Sequence, residues 1–361
     1  MKRVLVSVTN DISTDQRVAK VCDTLVNNNF SVLLIGRKLP NSVPLHRKYK
    51  TKRFRLLFNK GLLFYGEYNL RLFFYLLFAK KDILLANDID TLLPNYLISK
   101  LQKTKIIFDS HELFSEIPEL VHRPKVKKVW LALENWIVPK LKNNYTVCNS
   151  IAQYYQNKYK CSFKTIKNLP TKKRTKPGAF SFNTSNKKII LYQGALNIGR
   201  GIELMVETMR FLDNYLLILI GDGDIAATLK SKVFSKNLED KVIFLGKIAP
   251  VELHKLTPLA DLGLSLEEDL GLNYRFSLPN KIFDYIQAEV PVLVSNLPEM
   301  SAVITTYNVG EVTVHRTPQK LAIQIAHLLE KTFTTELKSA KKVLVWEQQE
   351  EQLLSIFNNL K

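Results

Sequence analysis

The sequence has little cysteine and no long uninterrupted apolar run. Its 361 residues include only three cysteines, Cys22, Cys148 and Cys161, an odd number without the spacing of a metal site. This scarcity argues against a disulfide-stapled fold and favours a reduced, cytosolic compartment. The opening residues, MKRVLVSVTND, alternate in polarity over too short a span for a signal peptide, and they predict a strand instead.

Acidic residues are scarce relative to basic ones. Lys and Arg number 52 against 33 Asp and Glu, which gives a net charge of +19 at pH 7. Nucleic acid is the first partner that such a charge suggests. Zinc-finger spacing, RNP-like aromatic motifs and helix-turn-helix patterns are nevertheless absent, and the cations are dispersed. We therefore predict no nucleic-acid partner.

Residues 46–80 are the exception to this dispersal. The segment begins HRKYKTKRFRLLFNK and continues GLLFYGEYNLRLFFYLLFAKK. Basic residues next to Leu, Phe and Tyr suit an anionic membrane surface. Glu67, Asn69 and Arg71 interrupt the apolar run, so it is a poor transmembrane span. A core helix with solvated lysines is the alternative, and we expect peripheral attachment to the inner face of a membrane.

The nucleotide fingerprints G-x-G-x-x-G and the P-loop are also missing, which counts against a dinucleotide cofactor and against ATP. What is present is a repeated alternation of strand and helix patterns, which predicts parallel sheets covered on both faces. A chain of this length suits two domains. Residues 169–186 are rich in Pro, Lys, Thr and Ser, lack an apolar period and predict a linker between domains 1–168 and 187–344.

The most informative stretch runs from Ser277 to Ser295 and reads SLPNKIFDYIQAEVPVLVS. A Pro-Asn step enters a short helical pattern, and a buried strand follows over 290–294. This arrangement places Asn280, Lys281 and Asp284 at the start of a helix. A helix start suits phosphate, and a carboxylate one turn further in can accept hydrogen bonds from a sugar diol.

This segment resembles the donor-site region of glycosyltransferase family 4. Further stretches resemble the same family in its order: VTNDISTDQRVAK, NDIDTLLP, FDSHELFSE, YQGALNIGRGIE, IGDGD and VWEQQEEQLLSIF. The resemblance implies an α/β fold of the GT-B type, with two Rossmann-like, doubly wound parallel-sheet domains facing a central cleft. The first domain would take the acceptor and the second the nucleotide-sugar, with residues 345–361 crossing back onto the first.

The family also implies an activity. We expect a retaining, metal-independent glycosyltransferase that moves a sugar from a UDP- or GDP-sugar to a glycan or lipid-linked acceptor, in cell-surface polysaccharide biosynthesis. The nucleotide-sugar is the donor substrate, and no cofactor is expected. A sugar-nucleotide epimerase of the same fold and a non-catalytic, membrane-associated nucleotide-sugar-binding protein are the alternatives.

The resemblance assigns roles to individual residues. The catalytic candidates are His111, Arg200 and Lys281, the nucleotide-sugar candidates are Asp284, Gly194, Gly221, Asp222 and Asn280, and the acceptor candidates are Asn10, Asp11, Arg17 and Glu112. For Arg17 a phosphate contact is a second expectation.

The sequence departs from the family pattern at several of these places. Asp284 stands where the family has a Glu, and Phe276 replaces the Glu eight positions earlier. Ala195 replaces an Arg of the first glycine loop. Glu267 and its acidic neighbours could supply a substitute carboxylate, although a solvated acidic loop is the interpretation we favour.

The stretch Asn87 to Asp90 contains a D-x-D pattern, which holds a divalent metal in other glycosyltransferases. In the first domain of a GT-B chain we expect it to cap a helix beginning near Thr91 instead. No metal site is therefore predicted.

Overall fold

The computed structural model describes residues 1–116, 120, 123–172, 176–184 and 186–360. The chain forms two compact units: unit 1 comprises Met1–Asn168 and Gln349–Lys361, and unit 2 comprises Leu169–Gln348. The predicted linker, 169–186, includes residues 173–175 and 185, which lie outside the described residues. In its described part, Leu169 already belongs to the core of unit 2, and the Pro170 carbonyl accepts a hydrogen bond from the Trp346 backbone N–H at 2.8 Å.

Unit 1 contains one parallel sheet in the strand order β3-β2-β1-β4-β5-β6-β7. Its strands are β1 Arg3–Asp11, β2 Ser31–Arg37, β3 Lys50–Phe54, β4 Ile83–Asn87, β5 Lys105–Ser110, β6 Asn144–Thr146 and β7 Lys164–Thr165. Its helices are α1 Gln16–Asn27, α2 Gly61–Phe78, α3 Ile89–Gln102, α4 Pro124–Ile137 and α5 Asn149–Tyr159. Val6 of β1 pairs with Leu34 of β2 and Leu85 of β4, so chain order reverses between β1 and β4.

Unit 2 repeats this topology in the order β10-β9-β8-β11-β12-β13. Its strands are β8 Lys188–Gln193, β9 Tyr215–Ile220, β10 Val242–Gly246, β11 Leu262–Ser265, β12 Val292–Ser295 and β13 Gly310–Thr313. Its helices are α6 Ile202–Thr208, α7 Ala226–Ser235, α8 Pro250–Leu256, α9 Leu272–Arg275, α10 Asn280–Gln287, α11 Pro298–Tyr307, α12 Pro318–Leu328 and α13 Thr334–Val343. Ligands of such sheets bind beyond the carboxyl ends of the strands, where the order reverses, and in unit 2 that place lies between β8 and β11.

The last helix, α14, spans Glu347–Asn358 and carries the chain from unit 2 into unit 1. Leu353, Ile356 and Phe357 are its buried side chains. The Phe357 ring packs edge-on against Phe30, with ring centroids 5.9 Å apart. Helix α13 ends at Val343, so residues 344–346 separate it from α14.

Helix α2 lies in the basic-aromatic segment and exposes apolar side chains. Its buried residues follow a four-residue spacing: Phe64, Tyr68, Leu72 and Leu76. Between them, the exposed apolar side chains form a second stripe: Leu62, Leu63, Leu70, Phe74 and Phe78. The helix therefore packs into the core and also presents an apolar face outward. Among the described residues, no helix is both long and apolar enough to cross a membrane.

Candidate functional site

Two glycine turns meet at the carboxyl edge of the unit 2 sheet. Gly194 follows β8 and donates its N–H to the Ile220 carbonyl at 2.9 Å. Gly221 follows β9 with φ +143°, and a Cβ there would lie 1.8 Å from the Gly194 carbonyl oxygen. Because any side chain at 221 would collide with backbone, the close approach of the two turns requires glycine. Asp222 follows and is exposed, with its carboxylate accepting from the Gly223 N–H at 2.9 Å.

Arg200 lies at the end of the loop after β8, just before α6. Its guanidinium is 5.2 Å from the centre of the Tyr274 ring, and Nη1 is 3.6 Å from a Glu267 carboxylate oxygen. The side chain remains 30% exposed. The adjoining Gly201 packs directly on the Leu266 carbonyl, where a Cβ would come within 2.1 Å. The guanidinium of this catalytic candidate is therefore held at the rim of a polar cluster and can still reach a ligand.

Lys281 occupies the first turn of α10 beside the exposed Asn280. Its Nζ donates to Glu267 at 2.7 Å and lies 4.2 Å from the centre of the Tyr192 ring. Burial, which outweighs the favourable Glu267 carboxylate, and the charge of Arg200 lower the pKa of Lys281. Both predicted cations thus lie at the point where the strand order of unit 2 reverses.

For Glu267 the sequence left two interpretations open, a substitute carboxylate and, as the favoured one, part of a solvated acidic loop. Its side chain is fully buried directly after β11, so the expectation of a solvated acidic loop is wrong at this position. Burial favours the neutral acid, but the charge and hydrogen bond of Lys281, a bond from Ser265 and the charge of Arg200 together lower the pKa of Glu267. The sequence signal that could have identified Glu267 is its position just after an apolar strand.

Asp284 lies one turn beyond Lys281 on α10 and is partly buried. Its carboxylate accepts a hydrogen bond from the Gln193 side-chain amide at 3.0 Å, and the Gln193 amide oxygen accepts from the Thr257 hydroxyl at 2.9 Å. This chain of bonds fixes Asp284 at the carboxyl end of β8, one residue before Gly194. The role of Asp284 at a ribose stays a prediction.

In unit 1, Asp88 and His111 form the corresponding pair at the carboxyl ends of β4 and β5. The Asp88 carboxylate accepts from the His111 backbone N–H at 3.1 Å and contacts Nε2 of the ring at 2.9 Å. Burial disfavours the imidazolium, but the Asp88 charge and hydrogen bond and the Asp109 charge outweigh it and raise the pKa of His111 to about 10. The Nδ1 atom is buried without a partner among the described residues. The Asp88 carboxylate therefore favours the charged form of the His111 imidazole.

The D-x-D pattern does not cap a helix as predicted. Helix α3 begins at Ile89, two residues before the expected start, and in the described part of the chain the Asp88 side chain makes no cap bond because it holds His111. Asp90 is buried and accepts a hydrogen bond from the Thr9 hydroxyl. Burial and the charge of Asp88 raise the pKa of Asp90 to about 7.

Metal binding was the other role considered for the D-x-D pattern. No group of three or more His, Cys, Asp and Glu side chains within the described ranges is placed to hold a metal ion. Metal independence itself stays a prediction.

Arg17 has a different environment from the one predicted. It is buried in unit 1 and pairs with Asp109 through two bonds, Nε–Oδ2 at 3.1 Å and Nη2–Oδ1 at 2.9 Å. Its remaining Nη1 donates to the Ile166 carbonyl at 3.2 Å. A guanidinium committed in this way and 5% exposed does not reach a phosphate, so the geometry argues against that role and favours one in the core.

The remaining acceptor candidates lie at the carboxyl end of β1 and after β5. The Asn10 amide is exposed and donates to Asp15 at 2.8 Å. Asp15 is also the residue that caps α1, by accepting from the Val18 N–H at 2.9 Å. Asp11 accepts from the Ser13 N–H at 3.0 Å and from the Ser42 hydroxyl, and Glu112 is exposed next to His111. Their acceptor roles stay predictions.

Comparison with known proteins decides the class of unit 2. Residues 179–343 match the family model described as Glycosyl transferases group 1. Unit 2 is therefore similar to the group 1 glycosyl transferases over most of its length. The match confirms the predicted resemblance at this level and the prediction that the chain is a glycosyltransferase. No curated protein sequence matches the chain.

Solved structures similar to the chain extend the likeness from the group 1 domain to both units. Sucrose-phosphate synthase from Thermosynechococcus elongatus has a TM-score of 0.82 at 15% identity, covering 99% of each chain. Anabaena HepE, solved with UDP, has a TM-score of 0.72 at 14% identity over 100% of both chains. A glycosyltransferase from Rickettsia africae has a TM-score of 0.71 at 14% identity, covering 99% of this chain and 98% of its own. The predicted GT-B fold is confirmed.

Proposed function

We propose that the protein is a retaining, metal-independent glycosyltransferase that moves a sugar from a UDP- or GDP-sugar to a glycan or lipid-linked acceptor. The observation that carries this proposal is the cluster at the carboxyl edge of the unit 2 sheet. Two close glycine turns, two cations and a carboxylate on the first turns of α10 meet there. These are the groups that a nucleoside diphosphate needs.

In this proposal the donor is bound by unit 2. The diphosphate lies over Gly194 and Gly221, where backbone can approach closely, and Arg200 and Lys281 balance its charge. Asp284 accepts hydrogen bonds from the ribose hydroxyls. Anabaena HepE has been solved with UDP and with UDP-glucose, which supports testing uridine nucleotides first.

The reaction breaks the bond between the anomeric carbon and the diphosphate oxygen. A new bond to the acceptor oxygen forms on the same face of the sugar, and the acceptor proton passes to the departing diphosphate. The products are a glycoside and a nucleoside diphosphate. A covalent enzyme intermediate is not invoked because the two carboxylates of the cluster are already engaged, Glu267 with Lys281 and Asp284 with Gln193. Arg200 and Lys281, which are already in place, stabilise the negative charge that develops on the departing diphosphate.

We assign the acceptor to unit 1, to the carboxyl edge that carries Asn10, Asp11, His111 and Glu112. The charged imidazole of His111, held by Asp88, supplies a fixed positive charge there. We assign to His111 the catalytic role that the family resemblance implies.

The acceptor is proposed to be membrane-linked because α2 of unit 1 exposes an apolar stripe. Leu62, Leu63 and Leu70 are each about three-fifths exposed, and Phe74 and Phe78 continue the stripe. The strongly basic stretch 46–60 directly precedes them. An apolar face flanked by cations fits an anionic lipid surface. The expected setting is the cytoplasmic face of a membrane, in cell-surface polysaccharide biosynthesis.

The experiment for the donor site is a thermal-shift screen of the protein against UDP, GDP, ADP and CMP and their sugars. We expect one nucleoside diphosphate to raise the melting temperature and Asp284→Ala to abolish the shift. The matched control is Asp213→Ala, an exposed carboxylate that precedes β9 at the opposite edge of the sheet. Absence of a melting-temperature shift with every nucleotide would contradict the proposal. Because the proposed enzyme is metal-independent, we expect treatment with EDTA to leave the nucleotide-induced shift unchanged.

A further inference from the structure

The unit 2 cluster is organised around one buried carboxylate. Glu267 follows β11 and is fully buried, a placement that is strongly unfavourable for a charge without compensating partners. Its oxygens accept from Lys281 Nζ at 2.7 Å and from the Ser265 hydroxyl at 2.7 Å, and Arg200 Nη1 approaches to 3.6 Å. One negative charge is thus shared between the two cations that we assign to the diphosphate.

The backbone at this position is held as firmly as the side chain. Arg316 donates to the Leu266 carbonyl at 3.0 Å and to the Glu267 carbonyl at 2.7 Å. The same guanidinium donates to the Ser295 hydroxyl at 2.7 Å, so it links the ends of β11 and β12. The backbone of Glu267 is therefore fixed, and its carboxylate holds Lys281 and Arg200 at a defined place.

Glu267 also determines where the Lys281 ammonium lies. A Cβ built on Gly194 would be 3.9 Å from Nζ and 3.5 Å from Cε, so the ammonium borders the first glycine turn. Lys281 is 8% exposed, and burial together with the Arg200 charge opposes its protonation. Of the charges in the cluster, that of Glu267 is the one that supports it.

We propose that Glu267 is a positioning residue that holds the Lys281 ammonium and the Arg200 guanidinium together beside Gly194, ready to receive the diphosphate of the donor. This inference rests on the proposed function. Glu267 does not itself touch the nucleotide-sugar; it acts through the two cations. It therefore does not take the place of the Glu that the family has where this chain has Phe276.

The test is UDP binding to the full-length protein, measured by calorimetry across the neutral and alkaline pH range. Glu267→Gln keeps the shape but removes the charge that supports Lys281. UDP affinity is expected to fall about 10- to 100-fold above neutral pH, as for the loss of a charged hydrogen bond. The deficit should shrink as the pH falls and Lys281 regains its proton. Glu134→Gln is the matched control, a buried carboxylate of unit 1 paired with Lys158 at 3.0 Å, and it should bind like wild type.

A double-mutant cycle separates this role from a merely structural one. In a Lys281→Met background, Glu267→Gln should cause a smaller loss of UDP affinity than in the wild-type background, because only its action through Arg200 remains. The double variant also removes both charges of the Glu267–Lys281 pair, so neither charge is left buried without the other.

Three results would count against the inference. Additive losses in the cycle would overturn it, and so would tighter UDP binding by Glu267→Gln or a pH profile equal to that of wild type. If the wild-type protein binds none of UDP, GDP, ADP or CMP, the proposed function fails as well. If the wild-type protein binds UDP and Glu267→Gln binds it with the same affinity at every pH, the inference is wrong but the proposed function still stands.

Discussion

Replacing Phe74 and Phe78 of α2 by serine tests whether the outward apolar stripe binds a membrane. Phe74 is 52% exposed and Phe78 is 82% exposed, so neither contributes most of its surface to the core of unit 1. Exposed substitutions of this kind usually change folding stability by less than about 0.5 kcal/mol. The double variant should therefore fold normally and lose only its interaction with lipid.

The exposed fractions set the size of the effect. Together they amount to about one and a third whole Phe side chains, and complete burial of one such side chain contributes about 1.5–3 kcal/mol. The double substitution should therefore weaken membrane binding by about 2–4 kcal/mol. This is about a 30- to 700-fold fall in the partition coefficient, since 1.4 kcal/mol is a factor of ten.

The assay is co-sedimentation with vesicles of phosphatidylglycerol and phosphatidylcholine, with pure phosphatidylcholine vesicles as the uncharged comparison. Phe234→Ser is the matched control because Phe234 is 74% exposed on α7 of unit 2. Wild type and Phe234→Ser should bind the anionic vesicles equally and the uncharged ones less. Equal sedimentation of the α2 double variant and wild type would refute the assignment of this face to lipid.

Three further predictions concern single residues. Asp109→Ala leaves the Arg17 guanidinium buried without its carboxylate and should cost about 3–5 kcal/mol of unfolding free energy in a denaturant titration, whereas a loss below about 1 kcal/mol would contradict a buried pair. Asp88→Asn should lower the pKa of His111, measured by NMR, from about 10 toward the ordinary value. In the wild-type protein, the raised pKa of His111 stabilises the folded state fully below the unfolded pKa near 6.5, and this contribution is lost as the pH rises toward 10. The folding stability of the variant should therefore vary less between these pH values. Gly221→Ala forces a Cβ against backbone and should lower both melting temperature and UDP affinity, whereas Gly66→Ala, which meets open space in α2, should stabilise by about 0.5–1 kcal/mol.

The alternating sheets could be predicted because buried parallel strands are near-continuous apolar runs. Strands such as β8, β9 and β12 have this pattern. The carboxyl ends of β8 and β9 locate the glycine turns, and the helical pattern before β12 locates Lys281. Strand β3 was missed because KTKRF is charged and lies at the edge of its sheet, where only one neighbour requires burial. Strand patterns therefore predicted the interior of each sheet better than its edges.

The pairing of charges could not be predicted from the sequence. Asp88 precedes a helix, as a capping residue does, and only the approach of β5 to β4 shows that it holds His111. Arg17 and Asp109 are 92 positions apart, so neither residue indicates that the other neutralises it. Glu267 looked like part of an acidic surface loop for the same reason, because its partner Lys281 lies on the next helix but one. The roles of these residues depend on ion pairs between side chains that are distant in the sequence.

Helix α14 has a consequence for how the chain matures during synthesis. Residues up to Asn168 emerge first, but the Phe357 ring that packs on Phe30 and the Glu350 carboxylate that accepts from Thr24 at 2.6 Å are made about 180 residues later. At ribosomal rates of about 5–20 residues per second, this is a delay of roughly 10 to 40 seconds. Unit 2 is complete before unit 1 is, so the amino-terminal unit is the last to close its core. Until then, the surface of unit 1 on which α14 packs stays uncovered.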